Sequence, residues 1–304
     1  MLRPWLALPG AGAWFEQASS TTGVDLVRHG TVSDAKTIRD TAVAQPLLVA
    51  TALASARAVL DGFTTDPWPM TSADVTAGHS VGELAAAALA GLLDEGEALR
   101  LVAVRGAAMA EASRAGTPTG MSAVVGGEAD QVLARLAELD LVAANVNGGG
   151  QVVAAGSLEG LAELAAAPPA RARVVPLQVA GAFHTPVMGP AVATLAAAVT
   201  TSVPRTPQVT LVANADGAQV TTGTDGLARL VAQVARPVRW DLCGQTMADL
   251  GVTGLLELAP AGVLAGLARR TLPDVERVAL KSPDDLPAAR DLVARHGRTH
   301  QEQP

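Results

Sequence analysis

The run Gly78-His79-Ser80-Val81-Gly82 constrains the fold most, because the residues before it read as a short buried strand and those after it as a helix. Residues 73–77 supply the strand. Residues 81–90 are rich in Ala and Leu, with Gly91 as a stop. A serine on such a turn has its hydroxyl lifted clear of the backbone, while unpaired N–H groups and the helix dipole favour a developing oxyanion. A plainer use exists, since Ser80 and Glu83 also match the S-x-x-E capping box. A bare G-x-S-x-G arises by chance in glycine-rich chains, so the chemistry has to be argued from partners.

Elsewhere, apolar runs of strand length alternate with Ala- and Leu-rich helical patterns, which predicts an α/β architecture with a parallel sheet. Residues 41–60 and 95–112 read as helices. From about Gly120 the rhythm changes to strand 121–125, helix 129–139, strands 142–144 and 151–155 around a glycine-rich turn, helix 158–167 and strand 173–179. That order is the split unit of a ferredoxin-like α+β subdomain. It is expected as an insertion at 119–180, dividing a large core made of 1–118 and 181–304. The later core elements are helices at 186–198, 227–234 and 263–270 and strands at 209–213 and 254–258. The polar residues from Gly297 on read as a frayed tail.

Composition narrows the function. With 304 residues, 49% of them apolar, the chain can bury a large core. A net charge of -7 and the lack of any Lys/Arg-rich run argue against nucleic-acid binding. The single cysteine, Cys243, cannot form an internal disulfide or a Cys-based metal site and reads as a small core residue. No histidine or carboxylate cluster has metal-ligand spacing. Gly148-Gly149-Gly150 is no phosphate loop, since no Gly-Lys-Ser/Thr follows it. There is neither a basic leader nor an uncharged run of membrane-spanning length, so the expectation is a soluble, cytoplasmic monomer without metal or membrane.

A serine nucleophile needs a base, and five histidines are available. His296 and His300 lie in or beside the tail and His29 in a Gly/Asp-containing loop, all three reading as solvated surface residues. His79 is inside the turn, with its side chain directed away from that of Ser80, and reads as structural. His184 follows strand 173–179 in a loop leading to a helix, the end of a strand where α/β active sites collect. Taken alone, it fits a satisfied histidine as well as a base. An α/β-hydrolase would carry its base near the C-terminus after the acid, so a mid-chain histidine speaks against an ordinary esterase. Arg105 falls at the margin of the apolar stripe of helix 95–112, beside Met109. There its stem can cover the core edge with the head in water, or its guanidinium can grip a substrate carboxylate through two parallel hydrogen bonds.

Further landmarks occur in order: Ala44-Gln45-Pro46, Gly78 to Glu83, Arg105-Gly106 with Met109, Asn145-Val146-Asn147 with Gly150-Gln151-Val152-Val153, Gly181-Ala182-Phe183-His184, Gln233, Pro237-Val238-Arg239-Trp240 and Lys281-Ser282-Pro283-Asp284-Asp285-Leu286. Several motifs in one order are far more specific than any one of them. The set resembles the malonyl-CoA:acyl carrier protein transacylases of bacterial fatty-acid synthesis, from about Trp5 to the C-terminal region. The resemblance implies an α/β-hydrolase-like core, Ser80 as nucleophile, His184 as base held by a backbone carbonyl near Gln233, and Arg105 as clamp for the malonyl carboxylate. It also implies Gln45, Val81, Phe183, Asn147 and Gln233 as substrate-binding positions, although Asn145, Asn147 and Gln151 serve equally as hairpin-turn residues. Phe183 resembles the form of the motif associated with malonyl rather than branched units. The implied reaction moves a malonyl group from malonyl-CoA to the phosphopantetheine thiol of acyl carrier protein through a malonyl-serine ester, without a cofactor. A serine hydrolase or thioesterase using the same pair, or an inactive truncated relative, are the alternatives. Arg269-Arg270 and Arg171 with Arg173 are candidate contacts for an acidic carrier protein, or plain solvated arginines.

One departure stands out. The family begins with a core strand leading into Gly-Gln-Gly, whose glutamine lies in the active site and whose backbone helps to form the oxyanion hole. Here Pro9-Gly10-Ala11-Gly12 has Ala11 where the glutamine belongs, and residues 5–10 are more like the segment that follows that loop. The expectation is that the strand and loop are missing, with the start assigned too late, leaving the Val81 N–H as the identifiable oxyanion donor. Loss of one such donor typically costs about 10²–10³ in turnover. The chain as written is expected to be weak or poorly soluble, and a version extended upstream markedly better.

Overall fold

The computed structural model describes residues 1–60, 62–63 and 69–297. The first sixty residues are helical. A 3-10 turn at Trp5–Ala7 leads into α1 (Ala11–Thr22), α2 (Leu26–Thr31), α3 (Ala35–Ile38) and α4 (Thr41–Leu60). Asp25 and Asp34 start α2 and α3 by accepting the N–H groups of Arg28 and Thr37. α4 is apolar on nearly every side, as a helix enclosed by others must be. By length and hydropathy it would suit a membrane span, but 72% of its most apolar stretch lies inside the protein.

β1 (Val75–Ala77) feeds α5 (Gly82–Leu89), and α6 (Glu95–Arg114), capped by Asp94, then packs along α4. The two helices close tightly because of Gly106. A Cβ there would lie 2.6 Å from the Thr41 carbonyl oxygen, and the Thr41 hydroxyl donates to the Gly106 carbonyl at 2.9 Å.

Next come β2 (Thr119–Gly126), α7 (Ala129–Glu138), β3 (Val142–Gly148), β4 (Gln151–Ser157), α8 (Leu158–Ala166) and β5 (Ala172–Pro176). The chain continues through α9 (Gly189–Ala198), β6 (Thr210–Val212), α10 (Gly223–Gln233), β7 (Val238–Arg239), α11 (Trp240–Asp249), β8 (Gly254–Glu257), α12 (Val263–Thr271), β9 (Glu276–Ala279) and α13 (Leu286–His296). β2 runs antiparallel to both β4 and β5, and β3 antiparallel to β4. Val132 and Leu136 of α7 and Leu161 and Leu164 of α8 cover this sheet against Val124 and Ala154. β7 adds in parallel beyond β3, with Asn145 opposite Val238, giving the order β5-β2-β4-β3-β7.

The parallel strands of the large core form two pairs rather than one sheet: β1 with β6, Val75 opposite Thr210, and β8 with β9. Among the described residues no strand joins them. Val75, Ala77 and Leu255 instead pack on one cluster around Val212, Trp240 and Met247, so side chains rather than a ladder connect the pairs.

Several expectations need correction. The strand expected at 173–179 stops at Pro176, because β5 is an edge strand and only the Leu177 N–H still reaches the Met121 carbonyl. His29 lies on α2 rather than in a loop, half-buried with Nδ1 2.9 Å from the Ser33 hydroxyl. His296 closes α13, where Thr253 and Glu276 hold its ring. His300 and the rest of 298–304 lie outside the described residues.

Candidate active site

Between β1 and α5 the chain turns on Ser80, whose φ is 54°. A left-handed backbone at a non-glycine residue is strained and aims its side chain where a regular element would not. Gly78 makes the turn possible, since a Cβ there would lie 2.1 Å from the Gly82 carbonyl. The capping box does not form. The Glu83 N–H bonds the Ser80 carbonyl at 3.0 Å, but its side chain turns inward, where Oε1 accepts the Asn214 N–H at 2.7 Å. The Ser80 hydroxyl is therefore left for His184, with Oγ 2.7 Å from Nε2.

His184 is also left-handed, with φ 62°, and is buried. Its loop is pinned on both sides: Thr119 Oγ1 accepts the Ala182 N–H at 3.0 Å, and the Thr185 hydroxyl donates to the Ala182 carbonyl at 2.7 Å. Nδ1 faces the Gln233 carbonyl at 3.1 Å. The Gln233 side-chain nitrogen lies 3.0 Å from the same Nδ1; in the tautomer in which Nδ1 donates to the carbonyl, the Nε2 lone pair is left for the hydroxyl. Burial first, and then the Arg105 charge, push His184 down to about 3, so the resting ring is neutral.

Arg105 does not send its head to water. It is buried, donating to Gln45 Oε1 at 2.5 Å and Gln233 Oε1 at 3.1 Å, with Nη2 3.4 Å from Ser80 Oγ. Burial lowers it to about 10, which still leaves a cation at neutral pH. The guanidinium thus meets two amide oxygens and no ion-paired carboxylate among the described residues. A buried charge in that state is poised for an anion that comes and goes. Glu83, whose carboxyl feels the Arg105 charge, is raised to about 8 by burial and is mostly neutral at pH 7.

The remaining predicted positions distribute unevenly. Gln45 and Gln233 join Arg105 directly. Asn147 is engaged elsewhere, accepting from or donating to neighbours only: His79 Nε2 is 2.9 Å from its Oδ1, and its amide donates to Gln151 Oε1 at 2.8 Å. His79 turns away from Ser80 and lies against Trp240, ring centroids 5.4 Å apart, with burial lowering its pKa. Phe183 is half-buried beside Met121 and Ala182. Val81 starts α5, where a backbone N–H has no carbonyl one turn back. Among the described residues no group of three His, Cys, Asp or Glu side chains could hold a metal ion.

Sequence reasoning missed Asn214. It lies two residues beyond the end of β6, the strand paired with β1, and so sits at the same sheet end from which Ser80 emerges. A polar residue closing the buried run Leu211-Val212-Ala213 is the signal that could have found it.

The chain matches the family described as acyl transferase domain over residues 15–292. Across 291 residues it is 48% identical to the malonyl CoA-acyl carrier protein transacylase of Mycobacterium tuberculosis, covering 94% of this chain and 93% of that protein. The chain belongs to this acyl transferase family. The transacylase of Escherichia coli is 34% identical over 285 residues, 91% of this chain and 90% of that one. Among solved structures, MCAT from Mycobacterium tuberculosis superimposes with a TM-score of 0.87 at 46% identity, covering 95% of this chain and 94% of that chain. PlMCAT, solved in complex with AntF, a type II PKS acyl-carrier protein, has a TM-score of 0.84 at 29% identity, covering 96% and 94%. Within this acyl transferase, the serine bonded to a neutral imidazole beside a buried cation is the candidate site.

Proposed function

We propose that the chain transfers a malonyl group from malonyl-CoA to the phosphopantetheine thiol of an acyl carrier protein. The observation that carries this reading is the 2.7 Å contact between Ser80 Oγ and His184 Nε2 with the Arg105 guanidinium beside the same hydroxyl. In the first half-reaction His184 Nε2 takes the Ser80 proton while Oγ attacks the thioester carbon. The Val81 N–H, at the head of α5, faces the developing oxyanion. The C–S bond then breaks, and the CoA sulfur leaves with the proton from His184. In the second half the carrier thiol gives its proton to His184, its sulfur attacks the malonyl-serine ester, and Ser80 Oγ recovers the proton. No step calls for a cofactor.

Arg105, steadied by Gln45 and Gln233, pairs with the free malonyl carboxylate. Phe183 borders the acyl site, and Asn147 acts through His79 on the turn that carries Ser80. The segment 119–180 forms a small subdomain, and the cleft between it and the core admits the pantetheine arm and limits water. The setting is the bacterial cytoplasm.

Intact-protein mass spectrometry after brief exposure to malonyl-CoA tests the reading. The expected result is one malonyl adduct, lost on adding carrier protein and absent in Ser80→Ala. An adduct that discharges to water without reaching the carrier would make the protein a hydrolase, and no adduct at all would refute both.

A further inference from the structure

Ser80 holds a strained backbone at the tip of a short strand, so something outside the turn must hold it there. Its flanking strand, β1, has three residues, and α5 has eight. The turn is gripped from the neighbouring strand. The Asn214 side chain accepts the Ser80 N–H at 2.7 Å and donates to the Gly78 carbonyl at 2.8 Å. One amide thus spans the residue that turns and the glycine two positions before it. Asn214 is itself fully buried and fixed at both backbone atoms: its N–H donates to Glu83 Oε1 at 2.7 Å, and its carbonyl accepts the Arg239 N–H at 2.7 Å.

We propose that Asn214 is the positioning residue of the nucleophile turn, holding Ser80 in its left-handed conformation so that Oγ stays within reach of His184. The inference rests on the reading of Ser80 as nucleophile. It follows that the Ser80 N–H is not an oxyanion donor, because Asn214 already occupies it. Glu83 is the outer brace, reaching back from the first turn of α5 to the Asn214 backbone.

The chemistry of the amide makes the role testable. Asn214→Ala removes both bonds and leaves a buried N–H and a buried carbonyl without partners. Asn214→Asp keeps the shape; as a carboxylate it can accept from Ser80 but cannot donate to Gly78, whereas as a neutral acid it can do both. The titratable and charged groups around position 214 are Glu83 on α5, Cys243 on α11 with Sγ 3.9 Å away, Asp241 on the same helix, Asp216 two residues on with its partner Arg229, and Arg105, His79 and His184 on the side of the site. Cys243 is pushed up to about 12 by burial and His184 down to about 3, so neither titrates near neutrality. Glu83, near 8, holds its proton below pH 7.

The experiment measures single-turnover malonyl-ester formation, KM for malonyl-CoA and melting temperature for the full chain and both variants. Asn214→Ala is expected to acylate roughly a hundredfold slower with KM nearly unchanged, as for a misplaced reacting atom. Asn214→Asp is expected to be comparably slow where its carboxyl is ionised and to recover at least about tenfold as the pH is lowered through its titration, while the wild type stays flat over the same range. A residue that served folding alone would lower the melting temperature without that acid rescue. Rates within about threefold of wild type for the variants, or an Asn214→Asp defect that ignores pH, overturn the proposal. Labelling of Ser80 by a fluorophosphonate separates this from the functional reading, since it needs only an aligned serine. A wild type that labels but takes no malonyl refutes the substrate assignment, and the variants' labelling rates then decide the role of Asn214.

Discussion

As the proposed base, His184 would work under an unusual load, with a permanent cation close by. Of the causes that hold it near 3, burial is the larger and the Arg105 charge the second. A malonyl carboxylate paired with Arg105 cancels that second cause at the moment the ring must take the Ser80 proton. An acetyl group offers no such relief. In the proposed reaction Arg105 would therefore favour malonyl in the rate of acylation as well as in binding, because the gain is realised as charge develops on the ring. Arg105→Ala is expected to slow malonyl-ester formation roughly a hundredfold while changing acetyl loading by less than about tenfold. The sign of the pH effect follows. The base acts when neutral, so the wild-type acylation rate should stay flat from about pH 8 to about pH 5, with no break at the ordinary histidine value. Without the arginine the ring is easier to protonate, and the acid limb of the variant moves upward towards 6.5. Stopped-flow acylation across that range checks both statements. An unchanged preference, or an acid limb that moves down, would remove Arg105 from the site.

Side chains of a site are placed by the helices that carry them, and α4 and α6 do this for Gln45 and Arg105, the proposed substrate contacts. They pack tightly at Gly106, the residue after Arg105, where a methyl group would lie 2.6 Å from a backbone oxygen of α4. Backbone cannot swing aside as a side chain can. Gly106→Ala is expected to destabilise the protein by about 1–3 kcal/mol and to lower Tm by several degrees. It should also slow malonyl acylation, since separating the helices pulls Gln45 from the arginine; thermal melting and the same acylation assay read the two effects. An unaltered Tm would mean that the helices part without cost. The long helices α4 and α6 were plain in the sequence, because twenty residues of helical pattern average out local ambiguity. Helices 129–139 and 158–167 also fall close to α7 and α8, but some shorter elements were missed or misjudged. α2 holds six residues and hides His29 in an apparent loop, and α11 begins at Trp240 directly after a two-residue strand, with no capping side chain to announce it. Strand β5 was read three residues too long because apolar character persists through Leu177 and Val179 after the ladder has ended.

At the scale of the whole molecule, motif order told which side chains share a site, but not how a site is held. Ser80 and His184 could be named because each sits in a run of special residues. Asn214 sits in none, and its three partners, Gly78, Ser80 and Glu83, come from more than 130 positions away through the pairing of β1 with β6. The same limit applies to surfaces. Charge signs are written in the sequence, while their position relative to the site is not. The structure separates the two arginine pairs proposed as carrier contacts. Arg171 is ion-paired with Glu128 at 2.6 Å beside the edge strand β5, so part of its charge is already answered. Arg269 and Arg270 are exposed at the end of α12, and Arg270 lies against Gly149 in the β3–β4 turn. That hairpin also carries Asn147, which bonds His79 next to Ser80. The α12 pair is thus continuous with an element that reaches the nucleophile turn, on a chain whose net charge of -7 would otherwise repel an acidic carrier. Charge reversal at Arg269 and Arg270 together is expected to raise KM for carrier protein roughly tenfold at low salt, with the difference shrinking as salt screens it. Reversal at Arg171 and Arg173 should do less. Malonyl-ester formation from malonyl-CoA should stay at the wild-type rate in both, since neither pair touches the serine, the imidazole or Arg105. Equal KM for carrier protein in the α12 variant and the wild type, measured at low ionic strength, would place the docking face elsewhere.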